Sequence, residues 1–129
     1  MTESLDTNLI LRLALQDIPE QCLRVQELLM RQNVVYNIAD LVVTEAVYVL
    51  QKDKTRREVV GMLQFILSLP RIRANFNLFE RVFPMYLEYP KLSFNDCCLA
   101  VYAELNGAEP LWTLDKKLAH QVPNAKLLR

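Results

Sequence analysis

Ser93-Phe94-Asn95-Asp96-Cys97-Cys98-Leu99-Ala100-Val101-Tyr102-Ala103-Glu104-Leu105-Asn106-Gly107 reads as a helix with both ends marked, a serine that caps the start and an Asn-Gly pair that stops it. Ala108-Glu109-Pro110-Leu111-Trp112-Thr113-Leu114-Asp115-Lys116-Lys117 follows at once, and Pro110–Thr113 in it reads as a short buried strand that ends near an aspartate. This unit presents Asp96 in the first turn of its helix and Asp115 just past its strand. The rest of the chain repeats the same alternation.

Toward the N-terminus, Glu3–Asp6 is a short strand that runs into Asp6-Thr7-Asn8 and the apolar Leu9-Ile10-Leu11, a strand-to-helix turn in which Asp6 or Asn8 can cap. Asp17 and Glu20 bracket Pro19 as a capping box and open a helix through Gln32, which Asn33 breaks before a strand at Val34–Ile38. Asp40 caps the next helix, Leu41 to about Gln51. Glu45 there lies three or four residues from Leu41, Val42, Tyr48 and Val49, which predicts a carboxylate on the apolar side. Thr55-Arg56-Arg57-Glu58 is a further capping box, and the helix it opens stops at Pro70. A strand within Ile72–Phe76, a helix capped by Asn77 and running to about Glu88, and a break at Tyr89-Pro90 lead back to Ser93. Beyond Asp115 come a helix at Lys116–Gln121 and an edge strand at Ala125–Leu128.

Short apolar strands alternating with helices specify an α/β fold, a three-layer α/β/α arrangement whose central sheet is mostly parallel and covered on both faces. With 129 residues, 52% of them hydrophobic, and only 2 glycines, the chain is expected to form one domain over residues 1–129. No apolar run reaches the eighteen or so residues of a membrane span, and Met1–Leu5 is too short and acidic for a signal peptide, so a cytoplasmic protein is expected. The 3 cysteines, Cys22, Cys97 and Cys98, lack metal-site spacing and read as small core residues. A single histidine, His120, excludes paired-histidine nucleases and the usual zinc sites. Hydrolytic chemistry in this chain falls to carboxylates.

In parallel sheets, ligands sit beyond the carboxyl ends of the strands, where strand order reverses. Asp6 follows the first strand and Asp115 the fourth, so both enter that crevice if the two strands are central neighbours. Each acid has a plainer use as well: Asp6 and Asp115 as helix caps, Asp96 as the far half of a Ser-x-x-Asp capping box. Glu45 caps nothing. Together Asp6, Glu45, Asp96 and Asp115 would concentrate negative charge in a small volume, which a hard cation relieves. Mg²⁺ or Mn²⁺ fits an oxygen-only ligand set better than zinc does.

Asp6-Thr7-Asn8-Leu9-Ile10-Leu11-Arg12, Thr44-Glu45-Ala46-Val47-Tyr48-Val49-Leu50, Asn95-Asp96-Cys97-Cys98-Leu99-Ala100 and Thr113-Leu114-Asp115 resemble, in order, the four motifs of PIN-domain nucleases, above all the small VapC-type toxins of toxin–antitoxin pairs. The resemblance spans essentially the whole chain. It implies a PIN-like fold and a Mg²⁺- or Mn²⁺-dependent endoribonuclease with Asp6, Asp96 and Asp115 as metal ligands. It further implies that Glu45 ligates the metal or orients its water, that Asn8 and Thr113 are supporting polar groups, and that the protein forms a homodimer silenced by a cognate antitoxin. Two features depart from the pattern: Cys97-Cys98 follow Asp96, and the formal net charge is +0, where an RNA binder is usually basic.

Two other classes compete. A catalytically inert PIN-like interaction module would keep the acids for stability or docking. A phosphoacceptor receiver domain would need an adjacent acid pair after the first strand and an acceptor aspartate after the third, and neither position supplies one.

Overall fold

The computed structural model describes the whole chain, Met1–Arg129. In chain order its elements are β1 (Thr2–Ser4), α1 (Thr7–Leu15), α2 (Pro19–Leu29), β2 (Val35–Asn37), α3 (Asp40–Leu50), α4 (Arg56–Leu67), β3 (Ile72–Arg73), α5 (Phe76–Glu88), α6 (Phe94–Leu105), β4 (Leu111–Thr113), α7 (Lys116–Gln121) and β5 (Ala125–Leu127). Backbone contacts divide them into two compact units, Met1–Asn75 and Phe76–Arg129.

In the first unit β2 is the middle strand, paired in parallel with β1 through Glu3 and Tyr36 and with β3 through Tyr36 and Ile72. Parallel strands need helical crossovers, and α1–α2 and α3–α4 supply them. Tyr36 and Ile38 are buried with Ile10, Val43, Val47, Leu50, Leu63 and Ile66. The Tyr36 hydroxyl leaves this core satisfied, donating to the Leu28 carbonyl at 2.6 Å and accepting from Arg31 Nε at 2.9 Å. α4 starts with the capping box read from Thr55 and Glu58, and both of its reciprocal bonds are present.

In the second unit α5 and α6 pack through an aromatic cluster. Phe94 stacks on Phe79 at 6.2 Å between centroids and meets the edge of Tyr86 at 5.2 Å, while Phe79 stacks on Phe83 at 5.9 Å. Such pairs add about 0.5–1.5 kcal/mol each beyond the area they bury. Because Phe94 is the first residue of α6, this cluster also holds the turn that carries Asp96. β4 pairs in parallel with β5, Trp112 lying opposite Lys126.

The α/β class and the parallel pairing expected of a three-layer α/β/α fold are both present, and the elements fall close to where the pattern puts them. Several details differ. α2 has Ile18 at its N-cap with no side-chain bond, so Asp17 and Glu20 form no capping box, and Asp17 instead pairs with Arg12 at 3.4 Å. Pro19 at the first helical position explains why α2 manages without one, since its missing amide removes an orphan donor. α2 also stops at Leu29, short of Gln32. Asp40 is the first residue of α3 rather than its cap, and α5 begins at Phe76, ahead of Asn77. β4 is not buried: Leu111 and Thr113 are half-buried and Trp112 is exposed. Strand pairing runs β1-β2-β3 in the first unit and β4-β5 in the second. Cys22 and Cys97 are buried and Cys98 half-buried, all three free, in keeping with small core residues. No helix is long and apolar enough to cross a membrane.

The capping box at α4 makes a direct prediction. Thr55→Ala is expected to cost about 1 kcal/mol in urea unfolding, the usual loss for an N-cap hydroxyl. The Glu58 carboxyl is held below its ordinary value, first by the Thr55 amide it accepts from and then by the Thr55 hydroxyl. A lowered folded value means a contribution present above the unfolded value and lost as pH falls through the folded one. The stability difference between the wild type and Glu58→Gln should therefore narrow on acidification below the ordinary glutamate range, read from melting temperatures over a pH series.

Candidate active site

Asp6 sits where β1 ends and α1 begins, in extended conformation at φ −83° and ψ 161°, and its Oδ1 accepts the Thr7 amide at 2.6 Å. A helix start leaves amides without partners, so a carboxylate there is pinned by the backbone itself. Thr7, the next residue, is 8% exposed and is the one buried polar residue of the chain. Its hydroxyl donates to Glu45 Oε2 at 2.7 Å, across the contact that α1 makes with α3. Thr7 thus ties the first acid to the second.

Glu45 does not occupy the apolar side of its helix. α3 turns Val43, Ala46, Val47 and Leu50 inward, while Glu45 is exposed together with Leu41, Tyr48 and Val49. The helical spacing of apolar residues runs nearly all round α3, so the sequence pattern does not distinguish its inner face from its outer one. Arg12 is paired with Asp17, and Glu45 is hydrogen-bonded by Thr7.

In the second unit Asp96 and Ser93 form a complete capping box: the Asp96 amide donates to Ser93 Oγ at 3.1 Å and the Ser93 amide to Asp96 Oδ2 at 3.3 Å. Asp115 caps α7, its Oδ1 accepting from the Lys117 amide at 2.9 Å and the Leu118 amide at 3.4 Å. The Asp115 amide in turn donates to Thr113 Oγ1 at 2.9 Å, so Thr113 sets the turn that carries Asp115.

All three aspartates therefore serve as caps, and each does so with one oxygen. Asp6 Oδ2, Asp96 Oδ1 and Asp115 Oδ2, like Glu45 Oε1, accept no hydrogen bond from the protein. None of the four acids enters an ion pair; those formed are Arg12–Asp17, Arg31–Glu3 and Arg81–Glu104. Within neither unit do three or more His, Cys, Asp or Glu side chains group so as to hold a metal ion. In the first unit Thr7 links Asp6 to Glu45, and in the second Asp96 and Asp115 each keep an open oxygen at a separate helix start. Mg²⁺ keeps several waters and is commonly held by one or two carboxylates plus substrate phosphate, so the donor chemistry fits such an ion.

Three polar residues stand otherwise than the sequence suggests. Asn8 lines a groove with Leu9, Arg12, Gln21 and Arg24, and no hydrogen bond joins it to any of the four acids. Thr7, not singled out beforehand, supplies the link to Glu45. Its place between Asp6 and an apolar run was the available signal. Asp40, read only as a cap, is a half-buried carboxylate just beyond β2 that accepts from Asn75 Nδ2 at 3.2 Å.

The PIN domain family model matches residues 4–122 of the chain. A search of curated proteins finds no match. Among solved structures, the chain is similar to one in a crystal structure of VapBC2 from Rickettsia felis bound to a DNA fragment from their promoter, at 21% identity and a TM-score of 0.44, covering 99% of this chain and 98% of that one.

The Thr7 bond is open to direct test. Thr7→Val keeps the shape and removes the donor, and is expected to cost about 1 kcal/mol in denaturant unfolding, the typical net value of a hydrogen bond, while Thr7→Ser retains most of it. Equal stability of Thr7→Val and wild type would show that Glu45 holds its position without Thr7.

Proposed function

We propose that this chain, which belongs to the PIN-domain family, hydrolyses RNA phosphodiester bonds as a Mg²⁺- or Mn²⁺-dependent endoribonuclease and serves as the toxin of a type II toxin–antitoxin pair. Family members are generally nucleases. The observation that supports the reading most directly is that Asp6, Asp96 and Asp115 are each held rigidly through one oxygen with the other left open, and that no cation of the protein neutralises them.

Asp6, Asp96 and Asp115 are the metal ligands in this reading. The ion, when bound, lowers the pKa of a coordinated water and offsets the charge that builds on the phosphodiester during in-line displacement. Glu45 would ligate the ion or orient its water, its carboxylate turned by the Thr7 hydroxyl. Thr113 fixes the Asp115 turn. Asn8 is a supporting polar group from the α2-facing side of α1. Pinned carboxylates suit such catalysis because they need no reorganisation as charge develops.

The toxin role, with a cognate antitoxin as protein partner, rests on the likeness of the four ordered motifs to VapC-type toxins. For the homodimer, the supporting feature is α3, which exposes Leu41 (67%), Tyr48 (63%) and Val49 (37%) along one side. The second reading, a catalytically inert PIN-like interaction module, draws support from the same geometry. Asp6, Asp96 and Asp115 each have a capping duty, and an exposed Glu45 costs an inactive protein nothing to keep.

Two measurements separate these readings. Mn²⁺ should raise the melting temperature in proportion to RT ln(1 + [L]/Kd), and Asp6→Asn or Asp115→Asn should abolish that response. Total RNA should be cut in Mg²⁺ and left intact in EDTA, with Asp6→Ala, Asp96→Ala and Asp115→Ala folded and inactive. A melting temperature indifferent to Mn²⁺, with RNA intact under every condition, would leave the interaction module standing.

A further inference from the structure

The second unit carries a surface that the four acids leave unused. β4 and β5 run in parallel with Trp112 directly opposite Lys126. Side chains alternate along a strand and residues in register share a face, so the half-buried Leu111 and Thr113 turn one way with the buried Ala125, while Trp112, Leu114 and Lys126 turn the other. On that outer face Trp112 is 58% exposed and Leu114 76%. The pair of strands is anchored to α6, where Asn124 Nδ2 donates to the Ala100 carbonyl at 3.1 Å, and the Leu111 amide donates to the Asn124 carbonyl at 2.8 Å.

Trp112 is the informative residue. It is the single tryptophan of the chain, and its ring joins none of the aromatic or cation–π contacts. An indole stabilises a fold by burial, so one left in water on an outer sheet face contributes little to packing. Lys126 stands beside it, and Lys116 and Lys117 begin α7 just past Asp115. All three lysines are exposed and none forms an ion pair. Cations in the first turn of a helix stand against its dipole, so α7 gains nothing from Lys116 and Lys117 there. An open aromatic ring among unpaired lysines matches a polyanion that carries flat rings, which is the chemistry of a single-stranded nucleic acid. A protein partner fits this face less well, because lysine is depleted from the cores of protein interfaces.

We infer that the outer face of β4 and β5 is a stacking platform for the single-stranded RNA substrate, with a base laid on the Trp112 indole and Lys116, Lys117 and Lys126 on the flanking phosphates. This rests on the reading of the chain as a ribonuclease and adds to it the residues that grip the strand. Asp115 is three residues past Trp112, about 10 Å along the chain at roughly 3.3 Å per residue, so one strand can reach both. Every base has a face to stack, so the platform supplies affinity without selecting a sequence. It also accounts for RNA binding by a chain of formal net charge +0, because the lysines are local.

A single tryptophan makes the stack directly visible. Oligoadenylate added to the full chain in EDTA should quench the Trp112 emission, whereas inorganic polyphosphate, which brings the charge without the bases, should compete for the lysines and leave the emission unquenched. By anisotropy of a fluorescein-labelled oligoadenylate, Trp112→Ala should bind roughly tenfold more weakly, the loss typical of one base–aromatic stack, and Trp112→Phe should keep most of the affinity. Lys126→Gln should lower the slope of log K against log salt by about 0.7, one phosphate contact on a single strand. RNA that saturates the anisotropy without quenching Trp112, or equal affinity in Trp112→Ala and wild type, would overturn the platform. So would a shift of the emission with protein concentration alone, which would assign the face to a second copy of the chain. The Mn²⁺ melting response is read in parallel on the wild type. Quenching by RNA without that response would sink the metal-dependent nuclease and leave the platform standing, while the response without quenching would do the reverse.

Discussion

A helix start cannot satisfy its own first amides, and this constraint organises most of what is chemically distinctive in the chain. Asp6, Asp96 and Asp115 each answer it, at α1, α6 and α7, by giving one carboxylate oxygen to backbone N–H groups. The backbone thereby fixes the side chain, because moving the carboxylate would strand the amides. Capping and ligation are then compatible duties rather than rival explanations. The oxygen that caps is spent, and its twin projects from a rigid mount.

That mount depends on packing elsewhere. The strands are two or three residues long and hold little on their own. In the first unit the side chains of α1, α3 and α4 around Tyr36 and Ile38 set where α1 begins. In the second, Phe94 is locked among Phe79, Phe83 and Tyr86 two residues ahead of Asp96. Thr7 shows how tightly the two requirements interlock. Its hydroxyl is buried by the packing of α1, so it must find an acceptor, and the acceptor is Glu45.

The distribution of charge follows the same logic. Fifteen basic and fifteen acidic residues cancel in sum, and several of them are tied to one another. Arg31 is tied to Tyr36 and Glu3, and its guanidinium is held above its ordinary pKa first by the Tyr36 hydrogen bond and then by the bond to Glu3. Arg81 is tied to Glu104. Arg12 is tied to Asp17 and is not among the basic clusters that stand out along the sequence. A cluster in sequence is mostly solvated surface, whereas two residues from different helices become one site only through packing.

Local rules were enough for the element order, the α/β class, and the capping boxes at Thr55–Glu58 and Ser93–Asp96, because caps and periodicity act within a few residues. The four acidic motifs were read from their resemblance to PIN-domain nucleases, which the family match over residues 4–122 supports, and not from such local rules. Which face of α3 turns inward was not, since apolar residues nearly encircle it and only the neighbours of α3 choose Val43 and Val47 over Leu41 and Val49. The bond from Thr7 to Glu45 spans 38 residues, and the apolar groove lined by Leu9, Val25 and Leu28 lies between two helices. Contacts of that kind have no local signature, because the burial that compels them exists only once separate helices have packed together.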